Sequence, residues 1–177
     1  MSTQLKPPVN KKDHIQGDPD APIELLEYGD YQCPHCGRAY PIIKNIQKRL
    51  GKKLKFAFRN FPLTEIHPDA FNAAVAAEAA GQQKKFWEMH DIIFEHQRLL
   101  ATENILMYAK ETGLNMAEFS RDIQSDVFLN KVEDDIESGI RSGVNGTPSF
   151  YVNGKKYNGS WEEEEFVNFL SQLLVRI

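Results

Sequence analysis

The sequence predicts an α/β fold in which an all-helical segment interrupts a unit built of strands and helices. Strand-like and helix-like runs alternate over residues 13–62, only helical patterns follow over residues 63–141, and a hairpin and a last helix occupy residues 142–177. The chain has 177 residues, of which 41% are hydrophobic and 11% aromatic. That supply of apolar side chains suits the core of one domain with a large insertion.

The first unit is predicted as strand, helix, strand. Residues 23–28 carry apolar side chains on both faces, which is typical of a buried parallel strand. Residues 34–50 have one apolar stripe and end before Gly51, as expected of an amphipathic helix with a glycine stop. Residues 53–61 alternate in polarity, which predicts a second strand. The crossover between the two strands is expected to be right-handed.

The middle of the chain is predicted to hold five helices. They begin near residues 68, 84, 102, 115 and 128. Asn115, followed three residues later by glutamate, resembles a capping box. His67 is predicted to cap the first of these helices, and His90 and His96 are predicted to lie on the surface.

The two ends of the chain complete the prediction. Residues 149–152 and 155–157 form a hairpin around Asn153-Gly154, a pair that favours a two-residue turn. Ser160 is predicted to cap the last helix. Residues 1–12 are polar and are predicted to be a flexible tail.

Charge and composition argue against several classes of function. The net charge is −4, with no basic stripe, so a nucleic-acid partner is not expected. No apolar run approaches the roughly 18 residues that a membrane span needs. The start of the chain lacks the apolar segment of a signal peptide, so we expect a cytoplasmic location, or a periplasmic or other extracytoplasmic one if a leader has been removed.

The two cysteines of the chain lie three positions apart, in Cys33-Pro34-His35-Cys36. At the start of a helix, unpaired N–H groups favour a thiolate, and the thiolate is the form that attacks a disulfide. Cys33 is therefore the predicted nucleophile, Cys36 the resolving thiol, and Pro34 a first-turn residue. Zinc would need about four ligands, and no second cysteine pair exists, so we expect no metal. The alternatives to a redox role are a half zinc site and an inert pair.

Two neighbours of the pair are candidate functional residues. His35 lies between the cysteines and would stabilise the Cys33 thiolate, unless it is simply exposed. Glu27 shares a strand face with Ile23 and Leu25. A buried carboxylate there would have a raised pKa and would exchange a proton with Cys36; the alternative is a solvated strand residue.

A second motif lies far along the chain, at Thr147-Pro148. A proline directly before a strand is by itself only a strand-start residue. Taken together, the segments EYGDYQCPHC at 27–36 and GTPSFYVNG at 146–154, on either side of a helical block, resemble the DsbA family. The resemblance extends over about residues 13–175.

The resemblance implies a thioredoxin-like fold, with the helical domain inserted between the β-α-β unit and the C-terminal hairpin and helix. It further implies that Pro148 is a cis-proline facing a redox-active CXXC centre, and that the Thr147 backbone pairs with an extended substrate peptide. Thr147 stands where DsbA itself has valine.

These observations predict a protein thiol–disulfide oxidoreductase that works through a mixed disulfide on Cys33 and needs no cofactor. Its partners would be protein or peptide thiols and disulfides and a redox recycling partner, and we expect a monomer. Whether it oxidises or reduces would depend on the compartment. The alternatives are a peptide-binding chaperone or adaptor, a metal-binding module, and a glutathione-dependent transferase or isomerase.

Overall fold

The computed structural model describes residues 3–175, which form a five-stranded sheet with helices on both faces. The strands are β1 (His14–Gly17), β2 (Ile23–Gly29), β3 (Leu54–Asn60), β4 (Ser149–Val152) and β5 (Lys155–Tyr157). Their order in the sheet is β1-β3-β2-β4-β5.

The predicted strand–helix–strand unit forms the centre of the sheet. The helix α1 (Pro34–Leu50) and a short 3-10 turn (Gly51–Lys53) connect β2 to β3. The two strands are parallel and in register from Ile23 opposite Leu54 to Gly29 opposite Asn60. This arrangement brings the carboxyl end of β2 and the start of α1 to one edge of the sheet.

The inserted helices are α2 (Ala70–Gln82), α3 (Phe86–Glu95), α4 (Thr102–Glu111), α5 (Met116–Asp122) and α6 (Asp126–Arg141). The Asn115 side chain accepts hydrogen bonds from the backbone N–H groups of Ala117 and Glu118, so the predicted cap of α5 is correct. One continuous apolar core joins the sheet to these helices. The division into two domains at residues 63 and 141 stays a prediction.

The hairpin of β4 and β5 turns where the sequence predicts. Asn153 and Gly154 have φ angles of +46° and +75°, which two-residue hairpin turns require. The helix α7 (Glu163–Leu174) follows. Its N-cap is Glu162 rather than the predicted Ser160, because the Ser160 hydroxyl instead accepts from the Glu162 N–H and closes a turn just ahead of the helix.

The prediction of a flexible tail over residues 1–12 is wrong for residues 3–12; residues 1 and 2 lie outside the described residues. The Leu5 N–H donates to the Gly154 carbonyl at 2.8 Å, and Leu5 is only 5% exposed. The buried Arg59 guanidinium donates to the carbonyls of Pro7 and Pro8 and to Asp13. A polar segment is ordered here because it supplies the acceptors that a buried cation requires.

The strand β1, which the sequence analysis did not predict, follows this segment and pairs antiparallel with β3.

The two faces of the sheet pack against different sets of side chains. Leu25, Phe56 and Phe150 belong to the core that includes α1, α3 and α7. Leu26 and Tyr151 belong to a second cluster that also contains Leu5. Glu27 alternates with Leu26 along β2 and therefore lies on the α1 face.

Candidate active site

The two thiols lie at the start of α1. Cys33 is the N-cap residue and Pro34 is the first residue of the helix, where a missing N–H leaves no hydrogen bond unmade. Cys33 is 4% exposed and Cys36 is fully buried, and both thiols are free. The pair therefore occupies the position in which helix-end N–H groups act on the first sulfur.

The pKa values of the two thiols move in opposite directions. A hydrogen bond from Cys36 lowers the pKa of Cys33 to about 5, against the opposing effect of burial, and contacts from Thr147 and the backbone N–H groups of Cys36 and His35 add to the lowering. Burial raises the pKa of Cys36, as do its bond to Cys33 and the negative charge of Glu27. Near neutral pH Cys33 is thus a thiolate and Cys36 a thiol.

His35 and Pro34 are both exposed. The backbone N–H of His35 is one of the groups that stabilise the Cys33 thiolate. This follows from the position of His35 in the first helical turn, where N–H groups have no partner within the helix. The predicted role of the imidazole stays a prediction.

Glu27 is buried beneath the thiols, with 3% of its surface exposed. Its strand neighbours are Phe58 and Phe150. Burial raises the pKa of Glu27 to about 8, with a further contribution from the charge of Cys33. The carboxyl group is therefore protonated near neutral pH when Cys33 is a thiolate, and it is not the solvated strand residue of the alternative interpretation.

The loop between α6 and β4 faces the thiols, 114 residues away in sequence. The Thr147–Pro148 peptide bond is cis, and Cys33 Sγ lies 3.5 Å from the Thr147 carbonyl oxygen. Thr147 and Pro148 are half-buried. The structure thus brings together the two motifs that the sequence analysis singled out.

Asp30 holds the loop that precedes Cys33. Its fully buried carboxylate accepts from the backbone N–H groups of Gln32, Cys33 and Leu63, at 2.7, 3.1 and 2.8 Å. The His67 ring nitrogen Nδ1 lies 2.7 Å from the same carboxylate. His67 therefore joins the loop after β3 to the active-site loop and does not cap α2 as predicted.

Gln97, just beyond α3, is a site residue that sequence reasoning missed. Its Nε2 donates to the carbonyls of Tyr31 at 2.9 Å and of Cys33 at 2.7 Å. A Cβ at position 37 would collide with Gln97 Oε1, which explains the glycine directly after Cys36. No local pattern could reveal this contact, since 64 residues separate Gln97 from Cys33.

The prediction that His90 lies on the surface is wrong. His90 is 3% exposed and lies among aromatic rings, with centroid distances of 4.8 Å to Phe58 and 5.0 Å to Phe94. The signal was present, because His90 is four residues from both Phe86 and Phe94 and so belongs to the apolar stripe of α3. His96 is exposed, as predicted.

Within residues 3–175, no group of three or more histidine, cysteine, aspartate or glutamate side chains is arranged to hold a metal ion. In that part of the chain none of the helices has the length and apolar composition needed to span a membrane.

A family model described as Thioredoxin matches residues 9–172. The chain belongs to this thioredoxin family. Solved structures resemble it over nearly the whole chain. BdbD from Bacillus subtilis has a TM-score of 0.84 at 26% identity and covers 99% of this chain and 98% of its own. The thiol-disulfide exchange protein alpha-DsbA2 from Wolbachia pipientis has a TM-score of 0.82 at 21% identity. It covers 93% of this chain and 88% of its own. The predicted thioredoxin-like fold is thereby confirmed, and the predicted resemblance to the DsbA family is confirmed at the level of the fold.

Curated relatives of this thioredoxin-family chain are longer proteins. A Na(+)/H(+) antiporter NhaA 1 from Mycobacterium sp. (strain KMS) is 40% identical over 170 residues, which are 95% of this chain and 28% of the relative. A Na(+)/H(+) antiporter NhaA from Herminiimonas arsenicoxydans is 36% identical, over 89% of this chain and 25% of the relative. The chain spans about a quarter of the length of these relatives, so their name describes a much larger protein.

Proposed function

We propose that this chain is a thiol–disulfide oxidoreductase that exchanges disulfides with protein or peptide substrates through a mixed disulfide on Cys33, resolved by Cys36. One observation carries the proposal: two thiols on one helical turn, next to the Thr147 carbonyl, have pKa values displaced in opposite directions. A thiol of low pKa is both a ready thiolate and a good leaving group.

The reaction transfers two electrons from a dithiol to a disulfide. In the oxidising direction a substrate thiolate attacks Cys33 Sγ, the Cys33–Cys36 bond breaks, and Cys36 leaves and takes up a proton. A second substrate thiolate then attacks the substrate sulfur of the mixed disulfide, and Cys33 leaves as a thiolate. The substrate gains a disulfide and the protein becomes a dithiol; a recycling partner must remove the two electrons.

The low pKa of Cys33 favours the oxidising direction. Stabilising the thiolate stabilises the reduced protein and makes its disulfide the stronger oxidant. In a reducing compartment the same site stays a dithiol and reduces or rearranges substrate disulfides. The cytoplasmic location and the monomeric state stay predictions. The location would decide whether the protein oxidises or reduces its substrates.

Recognition of protein substrates rests on the loop at Thr147. It is half-buried and precedes β4, which supports pairing of its backbone with an extended peptide in the manner of an added strand. The Thr147 carbonyl already contacts Cys33 Sγ. A peptide paired with this loop would present its own sulfur to Cys33.

The test is the pH dependence of alkylation of the reduced protein, followed by mass spectrometry. Because Cys36 is fully buried, modification at low pH reports Cys33, and the midpoint is expected near pH 5. A midpoint at or above about 8.5, the value of an unperturbed thiol, would contradict the proposal. Equilibration with glutathione buffers then measures the reduction potential.

The rival functions give other results. A chaperone or adaptor would keep its activity in Cys33→Ser, whereas an oxidoreductase would lose it. A metal-binding module would copurify with zinc and be destabilised by a chelator. A glutathione-dependent transferase or isomerase would use glutathione with a single thiol, so its activity would survive Cys36→Ala.

A further inference from the structure

The backbone N–H of Asp30 lies against the second thiol of the site. Its nitrogen is 3.4 Å from Cys36 Sγ and donates a hydrogen bond to that sulfur. Burial raises the pKa of Cys36, as do the bond to Cys33 and the charge of Glu27, whereas the bond from the Asp30 N–H lowers it. The Asp30 N–H therefore favours the thiolate form of a sulfur that is fully buried.

Negative charge develops on Cys36 in both directions of the proposed reaction. When a substrate thiolate attacks Cys33 Sγ, the Cys33–Cys36 bond breaks and its electron pair stays on Cys36 Sγ. In the reverse step Cys36 must lose its proton before its sulfur attacks. A buried anion has no water to solvate it, so a donor already aimed at the sulfur stabilises the charge without reorganisation.

The side chain of Asp30 holds the backbone that carries this N–H. Its Oδ1 accepts from the N–H groups of Gln32 at 2.7 Å and Cys33 at 3.1 Å, which closes a turn inside the active-site loop. Its Oδ2 accepts from the Leu63 N–H at 2.8 Å and lies 2.7 Å from His67 Nδ1, which ties the turn to the loop after β3. Because the carboxylate is bound on both sides, the Asp30 backbone cannot rotate without breaking several of these bonds.

Of these four partners, His67 is the one that binds Asp30 through a side chain. The other three are backbone N–H groups, which any residue except proline provides. The His67 Nδ1 carries the hydrogen, because a carboxylate only accepts, and the side chain is 14% exposed. A substitution at His67 therefore weakens the support of Asp30 without removing a backbone donor.

A second link joins the same two loops but does not involve the Asp30 carboxylate. The Gln32 side chain accepts from the Asp69 N–H at 2.8 Å and donates to the Asp69 carboxylate at 3.1 Å. Asp69 precedes α2, and its side chain makes no cap bond to that helix. Loss of the Asp69 carboxylate would therefore loosen the loops while leaving the four bonds of Asp30 intact.

We propose that Asp30 is a catalytic residue, through its backbone N–H on Cys36 Sγ, and that His67 is the side chain that positions it. This rests on the proposed function. His67 holds the Asp30 carboxylate, the carboxylate holds the backbone of the turn, and the N–H of that turn faces the sulfur on which charge develops.

The step balances without a further reactant. In resolution Cys36 loses its proton to solvent and its sulfur attacks Cys33 Sγ; the Cys33–Cys36 bond forms and the bond from Cys33 to the substrate sulfur breaks. The substrate leaves as a thiolate and takes a proton from solvent, so the two cysteines are oxidised and the substrate is reduced. The Asp30 N–H donates its hydrogen bond throughout and gives up no proton.

The test is His67→Phe, which keeps a ring and removes the donor to Asp30. Stopped-flow absorbance follows two releases of 5-thio-2-nitrobenzoate from its disulfide, the first when Cys33 attacks and the second when Cys36 resolves. The second release should slow about tenfold, less than the roughly hundredfold cost of deleting such a donor outright. The first release should keep its wild-type rate, because neither Asp30 nor His67 is among the groups that lower the pKa of Cys33.

Two further variants separate positioning from a general loosening of the loops. Asparagine carries an N–H at the place of His67 Nδ1, so His67→Asn should restore the wild-type second release. Asp69→Ala cuts the neighbouring link to Gln32 and should also resolve at the wild-type rate. Slow resolution in either variant, or equal slowing of both releases in His67→Phe, would overturn the proposal.

A measurement on the wild type keeps the proposal testable if His67→Phe does not fold. In proton–nitrogen NMR of the reduced protein, the Asp30 amide proton should lie downfield of its position in Cys36→Ala and exchange more slowly with solvent. An Asp30 amide that is the same in Cys36→Ala would contradict the contact. A wild-type protein without a second release would instead overturn the proposed function, whereas the Asp30 amide would still show the bond to sulfur.

Discussion

Cys33 and Cys36 lie one helical turn apart, yet their surroundings favour opposite protonation states. Cys33 accepts a hydrogen bond from Cys36 and further ones from backbone N–H groups at the helix end, and its pKa falls to about 5. Cys36 lies inside the first turn, fully buried and above Glu27, and its pKa rises. At the scale of single residues, the division into a nucleophile and a resolving thiol follows from this difference in solvation and hydrogen bonding.

Glu27→Gln tests how much the buried carboxyl group destabilises the folded protein. Burial raises the folded-state pKa of Glu27 from 4.5 to about 8, so the folded protein holds a proton that the unfolded chain loses, and stability falls as pH rises from about 4.5 to about 8. We expect the reduced variant to be more stable than wild type by a few kcal/mol at about pH 8, and equal to it near about pH 4.

Urea unfolding at both pH values measures this difference. Glu24→Gln is the matched control: Glu24 lies on the other face of β2, 21% exposed and paired with Lys55 at 3.2 Å. A difference between wild type and Glu27→Gln that does not change with pH would contradict the raised pKa.

At the scale of elements, the inserted helices contribute directly to the active-site loop. Gln97, after α3, binds two of the loop's carbonyls, and His67, in the loop after β3, binds Asp30. Both contacts hold the chain just before and at Cys33. The insertion therefore positions the nucleophile as well as adding to the core.

Gln97→Ala should loosen this loop. Two hydrogen bonds are lost, which predicts a destabilisation of about 1–2 kcal/mol, together with faster hydrogen exchange at the amides around Cys33. Gly37→Ala should act alike, because its Cβ would displace the Gln97 amide. The double variant should therefore lose less stability than the sum of the losses in the two single variants.

Chemical denaturation and hydrogen-exchange mass spectrometry measure both effects. Gln82→Ala, at an exposed position at the end of α2, is the control and should leave both quantities unchanged. Strict additivity of Gln97→Ala and Gly37→Ala would show that the two residues do not act through one contact.

At the scale of the whole molecule, the N-terminal segment closes an edge of the sheet. Its backbone bonds to Gly154 in the hairpin turn and to Lys156 of β5, and Arg59 donates to its carbonyls from the sheet face. An edge strand covered in this way offers fewer unpaired backbone groups to other chains.

Leu5→Ala tests the contribution of this segment to stability. Leu5 is 5% exposed, so truncation should cost about 2–4 kcal/mol, as for a leucine in a core. Leu99→Ala, at a position that is 56% exposed, should change stability by less than about 0.5 kcal/mol. Thermal or urea unfolding measures the stability of both variants. If Leu5→Ala and Leu99→Ala were equally stable, the predicted flexible tail would be correct after all.

Helices and strands with a strong apolar period were predictable element by element. The stripe of α1, the cap of α5 at Asn115 and the turn at Asn153-Gly154 all arise from contacts within a few residues. The strand β1 was not predictable, because four mostly polar residues become a strand only through pairing with β3. The burial of His90 was readable from its spacing on α3, but its aromatic neighbours on β3 were not.

The sequence by itself determined the order of elements and the spacing that puts two thiols on one helical turn, because these depend on short-range backbone geometry. Only the tertiary structure decided that the Thr147 carbonyl meets Cys33, that Gln97 holds the active-site loop, and that His67 binds Asp30. Those contacts join residues that are distant in sequence. They exist because burying the apolar faces of sheet and helices brings these polar groups together, where they must find partners out of water.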